Sequence, residues 1–379
     1  MGPLHGIRVI EMGGIGPAPF CAMMLSDLGA EVIRIDRKQQ AGNGDPRHVL
    51  NRGRRSLGLD LKHPDAVDIV MHLLDRADVL IEGFRPGVME RLGLGPDVCH
   101  QRNSGLIYGR MTGWGQSGPL AASAGHDLNY IALTGALHAM GDADHPPAPP
   151  LNLVGDFGGG GMYLVCGILA ALLERNQSDR GQVIDAAMID GAASLMAAFY
   201  GLKAMGRWRN ERGSNMLDGG AHYYSCYTCK DGRFISVAAI EPRFYALLLK
   251  KCGIEDQDFN DQNGADNWPA LKRKLARLFL TRTRDQWCEL LEGSDACFAP
   301  VLDLDEAPDH PHNKERATFV TYQGVTQPAP APRFSRSETT IQSPPARAGE
   351  HSREVLTDWG LTTDQVAKLE QAGVINRHP

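Results

Sequence analysis

The sequence is short of the features that mark membrane or nucleic-acid proteins. Its longest apolar run, residues 162–173, falls below the ~20 residues that a bilayer-crossing helix needs. It has no excess of positive charge: 39 Lys and Arg stand against 45 Asp and Glu, a net charge of −6. That balance excludes a nucleic-acid partner, and local basic groups must hold any anionic ligand. The first residues lack the apolar core of a signal peptide and the Ser or Thr of a myristoylation site at position 6. The last four, Asn376-Arg377-His378-Pro379, are not a peroxisomal address. The eight Cys include one CxxC, Cys226 to Cys229, with no second CxxC or His pair at zinc spacing. It reads as part of a strand, and no metal is expected. No internal repeat is present. The expectation is a soluble, reduced, cytoplasmic protein without membrane association.

What the chain does have is an alternation of strands and helices over its first half. The 379 residues suffice for a large domain and a smaller one. β-Branched runs at 7–12 and 31–36, with shorter ones at 79–81 and 106–108, predict strands. A Gly/Pro loop, 13–17, leads from the first into a helix ended by Gly29. Pro64 opens a second helix that puts Val67, Val70, Met71 and Leu74 on one face. The fold class expected is α/β, a Rossmann-like parallel sheet with helices on both faces. Ligands of such sheets gather where loops leave the carboxyl ends of strands. Helices are expected over 158–175 and 190–206. From 223 the pattern turns antiparallel, with a hairpin across 230–233 and helices near 242–252, 269–280 and 284–292. The domains predicted are a large one over 1–205, completed by 325–379, and a small α+β one over 221–315. Linkers run over 206–220 and 316–324.

Two short segments carry titratable groups beside glycines. One is Gly125-His126-Asp127; the other is Gly155-Asp156, which runs into Gly158 to Gly161. Glycine lets backbone approach a ligand closely, and helix N-termini offer N–H groups to an oxyanion. A His and an Asp so presented suit proton transfer at a carbon next to a carbonyl. They suit equally a satisfied polar pair or a helix cap. Gly14-Ile15-Gly16 and Asp36 invite a dinucleotide reading, but the third fingerprint glycine falls on Pro19. Arg37, Lys62, Arg85 and Arg91 lie near predicted strand ends. They read either as partners for a nucleotide's phosphates or as ordinary surface cations. Met188, Met196, Met205 and Met216 read either as a pliable apolar surface or as core.

Several of these segments together resemble the class III CoA-transferase family. They are residues 6–12 with Gly-Ile-Gly-Pro-Ala-Pro (14–19), 28–37, Asp-Val-Leu-Ile-Glu-Gly-Phe-Arg-Pro-Gly (78–87) and Gly-His-Asp-Leu-Asn-Tyr (125–130). Asn-Leu-Val-Gly-Asp-Phe (152–157), Asn-Met-Leu-Asp-Gly-Gly-Ala (215–221) and Ala-Ile-Glu-Pro-Arg-Phe-Tyr (239–245) are similar to its racemase branch. The likeness runs on through 294–301 and 350–356. It implies an interlocked homodimer, an acyl-CoA substrate and epimerisation at the α-carbon of a 2-methylacyl thioester. CoA would be part of the substrate, with no separate cofactor. By motif, His126 and Asp156 take the acid and base roles and Glu241 supports His126. Ile15, Arg37, Leu59, Leu61, Lys62, Gly83, Arg85, Arg91, Gly125 and Tyr130 fall where the family binds CoA.

The physical chemistry leaves points open. Asp156 must hold a proton near neutral pH in one direction of the reaction, which calls for desolvation or a like charge. A following helix N-terminus would oppose that. Glu241, just before Pro242, reads either as a helix cap or as a partner of His126. The family's Pro and Gln are replaced here by His222, which would touch the acyl pocket, and Arg243, which would compete for Glu241. Asp127 stands where the family's transferases carry their nucleophile, so CoA transfer through an Asp127 acyl intermediate is the competing reaction. A nicotinamide oxidoreductase and a non-catalytic CoA-binding protein are the remaining readings.

Overall fold

The β-branched runs build a sheet buried on both faces. A computed structural model describes residues 1–376, so that residues 377–379 of the C-terminal tetrapeptide lie outside the described residues. Strands β1 (Arg8–Met12), β2 (Glu31–Arg37), β3 (Arg54–Leu59), β4 (Val79–Glu82), β5 (Ile107–Thr112) and β6 (Val183–Ala187) pair in the order β3-β2-β1-β4-β5-β6. Every pairing is parallel. The connecting helices are α1 (Pro17–Asp27), α2 (Ala66–Leu74), α3 (Val88–Arg91), α4 (Pro96–Arg102), α5 (Asp127–Ala132), α6 (Met162–Ser178) and α7 (Met188–Leu195).

Alternate residues of a strand face opposite sides. Val9, Val32, Val79 and Ile81 share a core with Cys21 and Leu25 of α1 and Leu164 and Ile168 of α6. Ile10, Ile33, Leu57 and Leu80 pack with Ile69, Val70 and Leu73 of α2 on the other side. Glu11 and Arg54 are wholly buried within this sheet unit. Arg54 Nε donates to Glu11 Oε2 at 3.0 Å. Its other guanidinium nitrogens donate to the carbonyls of Pro19, Leu50 and Arg52.

The apolar run at 162–173 belongs to a longer helical stretch, Leu153–Ser178, whose 26 residues are long and apolar enough to cross a membrane by length and composition. Counting uninterrupted apolar residues understated it. Its inward side chains, among them Leu164, Val165 and Ile168, are part of the sheet's core.

A second unit comprises residues 135–150 and 196–316; the first takes 1–134, 151–195 and 317–379. Residues 135–150 and 196–205 thus group with the second unit, where the sequence placed them in the large domain. The helix expected over 190–206 is two, α7 and α8 (Ala197–Ala204), with Met196 between them. In the second unit β7 (Tyr224–Thr228), β8 (Phe234–Ala238) and β9 (Phe298–Val301) form an antiparallel sheet in that order. Helices α9 (Pro242–Cys252), α10 (Trp268–Phe279), α11 (Arg284–Leu291) and α12 (Pro311–Glu315) accompany it.

His222 is fully buried in this unit's interior. Its Nε2 lies 2.7 Å from the Tyr245 hydroxyl, which donates to the Phe259 carbonyl at 3.0 Å. Nε2 therefore carries the hydrogen. Burial pulls the imidazole down to about 4, so it is neutral. Its N–H donor is spent on Tyr245 inside the unit. In the first unit the chain closes with a hairpin, β10 (Phe319–Tyr322) and β11 (Val325–Pro328), and two helices, α13 (Ser352–Asp358) and α14 (Thr363–Gln371).

Candidate active site

In this strand order, β1 and β4 are neighbours whose connections depart in opposite directions. The loops at their carboxyl ends diverge and leave a crevice between them. A cleft of about 370 Å³ lies there. Ile15 and Gly16 come from the loop after β1, and Gly83 and Arg85 from the loop after β4. Gly125, His126, Tyr130 and Asp156 also line it, as do Trp114 and Met188.

His126 is the residue before α5, in extended conformation. Its backbone N–H donates to Asn129 Oδ1 at 3.0 Å, which holds the loop while the exposed imidazole faces the cleft. Gly125 has no room for a side chain: a Cβ would lie 2.8 Å from the Tyr130 ring and 3.1 Å from Trp114. Those two rings meet edge to face at 4.7 Å, and the Tyr130 hydroxyl donates to the Gly125 carbonyl. The aromatic pair fixes the loop that presents His126.

Asp156 sits in the first turn of a helix that begins at Leu153, rather than ahead of one. It lies inside a π-helical turn, Leu153–Gly161, which continues into α6; such turns recur at functional sites. The opposing helix-end field anticipated from the sequence therefore still acts on the carboxylate. Asp156 is held above the ordinary carboxylate range, first by burial and then by the nearby charge of Asp127. A hydrogen bond from Asn152 Nδ2, 3.1 Å from Oδ2, and the proximity of His126 pull the other way.

Gly16, at φ 71°, faces the same carboxylate; a Cβ there would stand 3.2 Å from Asp156 Oδ2. The glycine that resembled a phosphate loop makes room for an acid. The glycine run 158–161 likewise serves helix packing. A Cβ on Gly159 would reach the Ala192 nitrogen at 2.6 Å, and one on Gly161 would reach Phe20 at 2.6 Å.

Asp127 is 5% exposed. Its Oδ2 accepts the Asp156 backbone N–H at 2.6 Å, and it is not among the residues that line the cleft. The carboxylate ties the two segments together from beneath.

Glu82, wholly buried, accepts from the Phe84 N–H at 2.7 Å and from Arg110 Nε at 2.9 Å. Arg110 also donates to Glu90 at 2.8 Å. This network braces the turn on which Arg85 is exposed.

Of the residues assigned to CoA, Ile15, Gly83, Arg85, Gly125 and Tyr130 line the cleft. Arg37, Leu59, Leu61, Lys62 and Arg91 do not, although all lie beyond or at the carboxyl ends of β2, β3 and β4. Arg37 pairs in register with Leu59. Leu59 is 1% exposed, so its side chain is core, and its backbone also bridges to Ile375. Arg37, Lys62 and Arg91 are exposed. Glu241 belongs to the second unit, at the N-cap of α9, where its side chain makes no capping bond. Glu241 thus holds the cap position expected of it, by its backbone alone: its carbonyl takes the Phe244 and Tyr245 N–H groups and the exposed carboxylate is left over. Arg243 lies over the Phe244 ring at 4.4 Å. The sequence reading gave Gly16 a nucleotide-loop role and missed Glu82 and Asn152 as site residues. Only Asn152 carried a signal, its spacing of four from Asp156.

Comparison with known proteins adds a family. The model of CoA-transferase family III matches residues 4–352. Alpha-methylacyl-CoA racemase of Mus musculus is 45% identical over 375 residues, 98% of this chain and 97% of that protein. The Homo sapiens protein of the same name is 43% identical over the same shares. A crystal structure of a CAIB/BAIF family protein from Brucella suis superposes with a TM-score of 0.81 at 27% identity, covering 94% of this chain and 99% of the other.

Proposed function

The chain belongs to CoA-transferase family III, and we propose that it is an isomerase that inverts the α-carbon of 2-methylacyl-CoA thioesters. The observation that carries the reading is one cleft lined by both His126 and Asp156, with the carboxyl of Asp156 held above its usual range. The relatives named alpha-methylacyl-CoA racemase support it over nearly the full chain.

Inversion takes a proton from one face of the α-carbon and returns one to the other. With neutral His126 and protonated Asp156, His126 removes the proton and the C–H electron pair moves into an enolate. Asp156 then protonates the opposite face. The mirror-image substrate meets charged His126 and ionised Asp156, and the roles exchange. Either way the pair holds one proton between them. CoA serves as the substrate's handle, with no separate cofactor. Arg85, together with the exposed Arg37, Lys62 and Arg91, holds its phosphates by charge-assisted bonds. Transfer of CoA through Asp127 is the less supported reaction: a nucleophile must reach the thioester carbon, and Asp127 is buried and already engaged with the Asp156 N–H.

A single-enantiomer 2-methylacyl-CoA incubated in deuterium oxide, without any acceptor acid, should gain one mass unit and lose optical purity. The active species should be a homodimer, with twice the mass of one chain in light scattering. Turnover that requires an acceptor acid, with hydroxylamine trapping an acyl group on Asp127, would replace the racemase reading with the transferase. Arg85→Ala should weaken CoA binding about ten-fold in calorimetry, the loss of one charge-assisted bond on the order of 1.5 kcal/mol. Unchanged affinity would remove Arg85 from the site.

A further inference from the structure

We infer that Asn152 is a positioning residue that selects which oxygen of Asp156 carries the transferable proton. This deepens the racemase reading and rests on it. Asn152 stands immediately before the π-helical turn and grips it at two points. Its backbone carbonyl accepts the Phe157 N–H at 3.2 Å. Its side-chain Nδ2 donates to Asp156 Oδ2 at 3.1 Å. An amide NH₂ can only donate. The donated bond stabilises negative charge on Oδ2 and lowers its basicity, which biases the proton to the other oxygen. Oδ1 is then the oxygen that holds the proton and hands it over. Gly16 borders the same Oδ2, where a Cβ would come within 3.2 Å, so backbone as well as amide confines that oxygen.

The donor also sets how readily the proton leaves. The titratable groups that act on Asp156 are Asp127 of α5 and, just before it, His126; Asp156 in turn pushes the neighbouring Tyr130 hydroxyl up, against Arg85. Burial and Asp127 favour the protonated acid, while Asn152 and His126 favour the anion. The reaction needs one proton shared between His126 and Asp156. Its rate therefore falls in acid, where both are occupied, and in alkali, where both are empty. Without the Asn152 donor, Asp156 keeps its proton to higher pH, and the acid limb must rise.

The experiment is the pH profile of kcat/KM for α-proton exchange in wild type, Asn152→Ala and Asn152→Asp. The alanine variant should move the acid limb up by about one pH unit. The aspartate variant, of nearly the same shape but ionised and without a donor, should move it further. A residue that only supported the fold would lower the whole profile and leave its limbs in place. Limbs that stay at the wild-type pH in the folded variants overturn the inference. If the alanine variant fails to fold, the aspartate variant decides alone. Absence of exchange in the wild-type enzyme would refute the racemase reading itself, a distinct outcome from unmoved limbs.

Discussion

Replacing either His126 or Asp156 with alanine should lower inversion of a 2-methylacyl-CoA by about 100- to 10,000-fold, the usual contribution of a general acid or base. Both groups line one cleft of the sheet unit, and neither is part of a core cluster. The variants should therefore fold and melt as the wild type does. The two losses should differ in kind. With one base gone, the other can still draw a proton from its own face and return one there. Each variant should thus retain at most some deuterium uptake without inversion, from one enantiomer only, and the preferred enantiomer should be opposite in the two. Polarimetry with mass spectrometry on each enantiomer separates these results. Near-wild-type inversion in either variant would remove that residue from the mechanism.

Glu11→Ala should destabilise the protein by about 3–5 kcal/mol, the range for breaking a buried ion pair from one side. Glu11 and Arg54 are both wholly buried, and the guanidinium would be left charged without its hydrogen-bonded counter-ion. The pair joins two strands that are not neighbours, β1 and β3, across β2. Replacing both residues, Glu11→Leu with Arg54→Met, should cost far less, because no stranded charge remains. Urea unfolding of the three proteins tests this. A loss below about 1 kcal/mol in Glu11→Ala would mean that the carbonyls of Pro19, Leu50 and Arg52 suffice to hold Arg54.

The strands that the sequence revealed were those whose own residues bear the pattern. Val9, Ile10, Val32, Ile33 and Leu80 are aliphatic because a central parallel strand is buried on both faces. β3 begins with two arginines and β6 contains an aspartate, so neither shows such a run. The burial of Arg54 depends on Glu11, 43 residues away; no local window reports that. In the site, His126 and Asp156 were visible because a titratable residue beside glycine is locally unusual. The role of the glycines was not visible, since a backbone that must approach a ligand and one that must approach another helix look alike. Gly16 makes way for Asp156 and Gly161 for Phe20. Glu241 was legible as a helix N-cap from its place before Pro242, but not that its backbone alone would serve there.

The closing helices α13 and α14 have a bearing on how the protein is made. Val355, Leu356, Trp359, Val366, Val374 and Ile375 belong to the same core as Ile10, Ile33 and Leu57. All six strands of the sheet have left the ribosome once residue 187 has emerged, and the second unit follows before those helices exist. At typical elongation rates of ~5–20 residues per second, the part of that apolar face of the sheet not covered by α2 stays exposed for on the order of ten seconds or more. During that interval translation speed and chaperone occupancy govern yield, whatever the stability of the finished fold.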